Sequence, residues 1–224
     1  FTAHSMHCYF LRAGDASVPI ELEVDPIRNG RSFCTRRVVA RQRGEAIFNT
    51  SISYHVEEEG MSHSLNMPEV ISPEEAMRLN AERDGLLPHS LLDLFGVERE
   101  RITERLPEAQ APVSQSWYRV IGPFEGCLRT QQAALAMISD FSLYSTAFSA
   151  FPYERPEKVF VGASLDHAIW FHDIPKMDEW VLYDTYSPWS GGARGYNRGS
   201  LWSRDGKLIA STAQEGLMRI RRDR

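Results

Sequence analysis

Cysteine is scarce in this chain of 224 residues. Cys8, Cys34 and Cys127 are three in number, far apart, and outside any CxxC or Cys/His ligand spacing. An odd count without a framework excludes a disulfide scaffold and a zinc ribbon, and it fits buried, inert thiols in a reducing compartment. Long apolar runs are lacking too. No stretch reaches ~18 apolar residues, so no membrane span is expected. The chain does not open on a charged segment followed by an apolar one, the pattern of a signal peptide. Arg222-Asp-Arg224 is not the Ser-Lys-Leu peroxisomal address. An excess of basic charge is missing as well. The net charge is −5 with both signs interspersed, and Arg221-Arg-Asp-Arg224 reads as a solvated tail. Neither nucleic acid nor an anionic lipid surface is therefore an expected partner.

What is present suffices for a sizeable core, with 42% hydrophobic residues. Residues 4–58 read as a meander of long antiparallel strands. Ile20-Glu-Leu-Glu-Val24 alternates apolar and polar, the signature of a half-buried strand. Asp25-Pro26 and Asn29-Gly30 punctuate a turn, Phe33 to Arg41 is a long strand, and Arg43-Gly44-Glu45 turns it back into Ala46 to Val56. Residues 59–113 change character, being rich in Glu, Arg and Pro without a strand pattern. They predict a linker with a surface helix or two, one of them opening at Ser72-Pro-Glu-Glu75, with Ser at the N-cap and Glu three residues on. Residues 114–224 return to β structure around one buried helix, from about Arg129 to at least Asp140, whose centre Ala133-Ala-Leu-Ala-Met-Ile138 is apolar almost all round. Strands are expected at about 157–171, 179–187, 194–204 and 207–220, with Asp205-Gly206 as a hairpin signal.

The two β regions resemble each other. His7-Cys-Tyr-Phe10 lies over His167-Ala-Ile-Trp170 and Ile20-Glu-Leu22 over Trp180-Val-Leu182, both at an offset of 160; Gly44-Glu-Ala-Ile47 lies over Gly206-Lys-Leu-Ile209 at 162. One order of strands at a near-constant offset predicts two copies of one module. The strand and helix that precede Ser164 in the second copy would fall before residue 1 in the first, so the first module is expected to lack its opening strand and central helix.

A helix buried against a long antiparallel sheet is the hotdog arrangement, and two in tandem make an α+β double hotdog. Here the chain resembles the acyl-CoA thioesterase II (TesB-like) family, which includes the peroxisomal acyl-CoA thioesterases. The resemblance rests on Ala163-Ser-Leu-Asp-His-Ala-Ile-Trp-Phe-His172, Asp178-Glu-Trp-Val-Leu-Tyr183, Gly192-Ala-Arg-Gly195, Arg204-Asp-Gly206 and Ala213-Gln-Glu-Gly-Leu-Met-Arg219, with Cys8-Tyr-Phe-Leu-Arg-Ala-Gly14 and Arg31-Ser-Phe-Cys-Thr-Arg-Arg37 near the N-terminus. It implies a partial first module at 1–58, a linker at 59–113 and a catalytic second module at 114–224.

The resemblance further implies that Asp140, Ser164 and Gln214 position a water that attacks an acyl-CoA thioester, without a metal or cofactor. The residue types suit that chemistry. A carboxylate accepts the water's proton, while a hydroxyl and a carboxamide orient it. In the first copy the positions of Gln214 and Ser164 fall on Ile52 and His4, so that half is expected to complete the binding surface only. Arg194 and Arg198, flanking a Gly-rich turn, are candidates for the CoA phosphates, and Met137 and Phe141 for the acyl chain. Trp170, Trp180 and Trp189 are expected in sheet and interface packing. A Ser-His-Asp triad is the tempting alternative. In one continuous strand, however, Ser164 and Asp166 share a face and His167 points the other way, and Gly162-Ala-Ser-Leu-Asp166 is not a nucleophile elbow. Two rivals stand beside the thioesterase: a non-catalytic acyl-CoA-binding module and a hotdog hydratase or dehydratase. The remaining expectations are a homo-oligomer in a peroxisomal or cytoplasmic setting.

Overall fold

The computed structural model describes residues 1–84, 95–104, 106–122, 124, 126–152 and 160–220. The terminal arginines expected as a solvated tail lie outside them. Among the described residues, eleven strands join one antiparallel sheet. In chain order the elements are β1 (Thr2–Phe10), β2 (Glu21–Asn29), β3 (Phe33–Gln42), β4 (Glu45–His55), α1 (Pro73–Asp84), β5 (Val97–Arg101), β6 (Val113–Val120) and α2 (Leu128–Leu143). A 3₁₀ segment (Tyr144–Ala150) follows, then β7 (Phe160–Ser164), β8 (Asp166–Phe171), β9 (Val181–Gly191), β10 (Arg194–Ser203) and β11 (Leu208–Ile220).

The sheet order is β2-β3-β4-β1-β8-β11-β10-β9-β6-β5, with β7 beside β11. Read outward from the β1–β8 seam, the two sides run β1, β4, β3, β2 and β8, β11, β10, β9. This is the mirrored order that two copies of one meander produce when their first strands pair antiparallel. The offset seen in sequence recurs in the strands: Glu21 opens β2 and Val181 opens β9. At the seam Cys8 faces His167 and Met6 faces Ile169. This is the double hotdog architecture. Strand β6 and helix α2 have no counterpart in the first half among the described residues.

Helix α2 covers the inner face of the second half. Leu135, Ile138 and Leu143 pack against Ile169, Val181, Tyr183, Leu201 and Ala210. Each such side chain, fully buried, contributes roughly 1.5–3 kcal/mol from the apolar area removed from water. The outer face is sealed by α1 and the segment before it, where Ala76, Met67 and Val70 lie on Trp117, Trp180, Leu182 and Trp202. The Ser72 hydroxyl caps α1 by accepting the Glu75 N–H at 3.2 Å, as the capping pattern predicts. The indole N–H of Trp117 donates to the Ile71 carbonyl at 2.9 Å, which ties this segment to the sheet.

Several local expectations need correction. Residues 59–113 do contain a strand, β5, which pairs with β6 so that Val97 faces Val120. Its Glu and Arg residues hide it from an apolar pattern, and such charges suit an edge strand. The strand expected at 157–171 is two strands, interrupted at Leu165. The thiols are not uniformly buried: Cys8 is, Cys34 is half-buried, and Cys127 is exposed. Cys127 occupies the N-cap position of α2, and its thiol pKa is lowered by the Thr130 hydroxyl and the nearby first-turn backbone. Of the tryptophans, Trp180 is core, Trp170 meets His7 edge-on across the seam at 5.0 Å, and Trp189 lies exposed under the Arg194 guanidinium.

Candidate active site

Asp140 stands in the last turn of α2, where no basic residue accompanies it. The negative end of the helix dipole disfavours a carboxylate there, so local helix stability does not account for it. Its neighbours come from the sheet. Gln214 lies on the inner face of β11, and Ser164 is the last residue of β7, opposite Gly216. The Ser164 hydroxyl donates to Asp140 Oδ1 at 3.1 Å. The Gln214 carboxamide nitrogen donates to the same Oδ1 and to Ser164 Oγ, the latter at 3.1 Å. Three side chains from three elements thus close one ring of hydrogen bonds. Both contacts to Asp140 fall on one oxygen, which leaves Oδ2 for a further donor. Gln214 Oε1 is buried and has no partner among the described residues, so it is an acceptor in reserve.

Glycines let the helix end come this close. A Cβ on Gly216 would stand 2.8 Å from Cβ of Tyr144, and one on Gly162 would stand 3.0 Å from its ring. A Cβ on Gly195 would stand 2.6 Å from Ala147. The 3₁₀ segment that continues α2 therefore lies directly on bare backbone of β7, β10 and β11, as strand glycines permit. The glycine of Gln214-Glu-Gly216 is thus a seat for Tyr144, two residues from the carboxamide it helps bring to Asp140.

Burial sets the electrostatics. Loss of water raises the pKa of Asp140 above the ordinary carboxylate range, against the opposing hydrogen bonds from Ser164 and Gln214. The Cys8 thiol, brought across the seam by β1, is pushed up to about 12 by burial first and by the charge of Asp140 second. It is neutral and inert, and it forms part of the wall contributed by the first half. His167 is held near pKa 4 by burial, so its ring is neutral.

The parity expectation fails here. Ala213 pairs with Ala168 while Gly216 pairs with Ser164, so three residues of the β7–β8 run oppose two of β11. One extra residue is a β-bulge, and it inverts the alternation of faces. Ser164 and His167 therefore both face α2. The triad is still not formed. The His167 Nε2 contact is Ser139 Oγ at 2.8 Å, and Ser164 bonds to Asp140 directly. Because the Ser139 hydroxyl donates to the Ala136 carbonyl, the imidazole is the donor of that pair.

The other sequence candidates lie apart. Arg194 and Arg198 pair with Leu217 and Ala213, on the outer face of the sheet away from Asp140. Arg194 is bound to Glu215 at 3.2 Å, and Arg198 interacts with Tyr186 and Tyr196. Met137 and Phe141 are half-buried against the α2 core, with Phe141 touching the Phe95 ring at 5.4 Å between centroids. Sequence reasoning missed Asn197. It lies directly opposite Gln214, fully buried, with Oδ1 unpaired among the described residues. Only strand register reveals it, since nothing in Arg194-Gly-Tyr-Asn-Arg198 sets it apart.

Residues 73–218 match the model of the acyl-CoA thioesterase C-terminal domain, and residues 1–55 that of the N-terminal domain. The chain is 37% identical over 236 residues to acyl-coenzyme A thioesterase 8 of Mus musculus, which spans 97% of this chain and 73% of the relative. It is 35% identical over 229 residues to acyl-CoA thioesterase 2 of Haemophilus influenzae, across 97% of this chain and 79% of the relative. The crystal structure of acyl-CoA thioesterase II TesB2 from Mycobacterium marinum superposes with a TM-score of 0.84 at 35% identity, over 98% of this chain and 81% of that one. With both domain models matched in order and the fold shared over nearly its whole length, the chain belongs to the acyl-CoA thioesterase family.

Proposed function

We propose that acyl-CoA thioester hydrolysis, the activity of this family, takes place at the Asp140, Ser164 and Gln214 cluster. The observation that carries it is the convergence of both sheet-borne side chains on a single oxygen of a desolvated helix carboxylate. In the proposed step a water donates to Asp140 Oδ2 and attacks the thioester carbonyl carbon as Asp140 takes its proton. Ser164 and Gln214 hold the carboxylate and orient the water, and backbone N–H groups near the helix polarise the carbonyl oxygen. The tetrahedral intermediate collapses with cleavage of the C–S bond. The proton passes from Asp140 to the departing CoA thiolate, leaving a free fatty acid and CoA.

A mostly apolar cavity of about 480 Å³ between β1, β3, β4 and α2, which Arg36, Arg129 and Gln132 also line, supports the placement of the acyl chain. Met6, Ile52, Tyr54 and Phe171 line it, together with Ala133 of α2. Met137 and Phe141 continue the row from Ala133 at four-residue spacing, which puts them on one side of the helix. Their role is acyl contact in this proposal. The exposed apolar rows of the first half, including Leu22 and Val24, are surfaces of the kind that subunit contacts cover and support a homo-oligomer. Three free cysteines support a reducing, peroxisomal or cytoplasmic setting.

The test is thiol release from acyl-CoA by Asp140→Ala, Ser164→Ala and Gln214→Ala. Loss of turnover in Asp140→Ala with residual turnover in Ser164→Ala supports a water nucleophile. Full activity in Asp140→Ala sinks the assignment.

A further inference from the structure

The bulge that turns Ser164 toward α2 needs something to hold it. In a regular antiparallel pair the Glu215 N–H would find a carbonyl across the ladder. Here the extra residue displaces that partner, and the Asp166 side chain takes its place: Oδ1 accepts the Glu215 N–H at 2.7 Å. Across the same ladder, Leu165 N–H donates to the Glu215 carbonyl at 2.9 Å. Glu215 is thereby bound at both of its backbone groups by the two consecutive residues of the bulge. Strand β1 locks the opposite edge. Tyr9 pairs with Asp166, and Phe10 N–H donates to the Leu165 carbonyl at 3.0 Å.

We propose that Asp166 is a positioning residue, whose carboxylate oxygen holds the bulge that places Ser164 and Gln214 on the same face opposite Asp140. Asp166 does not reach the reacting atoms. Residues 166, 168 and 170 share the outer face of β8, whereas His167 and Ile169 face the helix. It acts through the backbone. Glu215 adjoins Gln214 in sequence, and Leu165 adjoins Ser164, so the single bond from Asp166 to Glu215 fixes the spacing of both. Without it the strand pair can relax into regular register. One-residue slippage of a strand exchanges its faces, which would turn Ser164 away from Asp140. A carboxylate is poorly suited to this place on other grounds: burial and the neighbouring charge of Glu215 both oppose ionisation of Asp166. The proposal rests on the Asp140, Ser164 and Gln214 assignment and adds the group that maintains its geometry.

The experiment compares Asp166→Ala, Asp166→Asn, Ser164→Ala and the Asp166→Ala/Ser164→Ala double variant by steady-state thiol release, with near-ultraviolet circular dichroism to verify folding. Asp166→Ala is expected to lower kcat at least tenfold with KM changed less than about threefold. Asp166→Asn retains an acceptor oxygen and is expected to restore most of kcat. In the Ser164→Ala background, the Asp166→Ala substitution is expected to cost clearly less than it does in wild type, because part of its effect runs through Ser164. Wild-type kcat in folded Asp166→Ala overturns the proposal. So does an Asp166→Asn loss as deep as that of Ala, which would point to charge rather than the bond, and so do fully multiplicative effects in the double variant. If Asp166→Ala does not fold, Asp166→Asn decides the matter: kcat within about threefold of wild type supports the hydrogen bond, and a tenfold or deeper loss overturns it. Full activity in Ser164→Ala alone would instead sink the underlying site assignment.

Discussion

Gln214 and Asp140, 74 residues apart in the chain, are joined by a hydrogen bond from the carboxamide nitrogen to Oδ1 of the carboxylate. The same nitrogen reaches Ser164 Oγ, so the amide is the hinge of the whole cluster. A buried carboxylate that gains only two such bonds is held ionised at some cost, and the site can be tested through that cost.

Asp140→Asn should separate activity from stability. Removing a general base typically lowers turnover by about 10²–10⁴-fold. Because burial is the leading cause of the raised Asp140 pKa, the neutral amide should also make the fold more stable near neutral pH. Thiol-release kinetics and thermal melts on one preparation check both. A variant that is inactive and also less stable would argue against the desolvation account.

The pH dependence follows from the same shift. With its pKa raised, Asp140 is protonated at a higher pH than an ordinary aspartate, so the acid limb of kcat/KM should lie above about 3.9. Activity falls as pH drops through that limb. The bonds from Ser164 and Gln214 act in the opposite direction, so deleting either should move the limb to still higher pH. A pH–rate profile of wild type and Gln214→Ala reads the displacement directly.

His167 should shape acid stability. Its folded pKa of about 4 lies below the unfolded value of 6.5. The unfolded state therefore binds a proton first as pH falls. The stability present above pH 6.5 is lost progressively down to about pH 4, by about 3 kcal/mol for this one residue. Urea melts at pH 7 and pH 4.5 should show a smaller difference for His167→Gln than for wild type.

Gly199→Ala should destabilise the second module. The added Cβ would stand 2.4 Å from the Tyr183 ring and 2.8 Å from Thr212 Oγ1. Tyr183 is fully buried, and its hydroxyl donates to the Ser139 carbonyl at 2.9 Å, so it has nowhere to retreat. Overpacking of this kind costs about 1–3 kcal/mol. Because Ser139 precedes Asp140, kcat should fall as well. Gly206→Ala is the comparison: its Cβ meets nothing within 4 Å, and the penalty there comes from the positive φ of 88°.

Much of the fold is legible in local chemistry. The alternation of Ile20 to Val24, the cap at Ser72 and the apolar centre of α2 each depend on neighbours within a few residues, and each element appears where that pattern predicts. Strand β2, however, is exposed along its whole length rather than half-buried, and it passes through Asp25-Pro26 as a strand irregularity rather than a turn. The 160-residue offset is legible for a similar reason, because two copies of one meander keep their strand order. The edge strand β5 escapes because its four residues after Val97 are all charged, half-buried and paired with side chains such as Arg119 and Asn80, which leaves no apolar alternation to read. Arg194 and Arg198 suggest an anion site by composition, yet alternation along β10 sends both to the outer face.

Asp140, Ser164 and Gln214 can be nominated as a set from sequence through motif and order alone. What the sequence by itself determined is the supply of groups: one helix carboxylate, one strand-end hydroxyl, one carboxamide, and glycines beside them. Only the tertiary structure decided which way they point. The extra residue at Leu165 has meaning solely against its partner strand β11, since a bulge is a mismatch between two ladders and neither ladder records it alone. That mismatch put Ser164 and His167 on one face, and the bare backbone at Gly162 and Gly216 let the end of α2 descend to meet them.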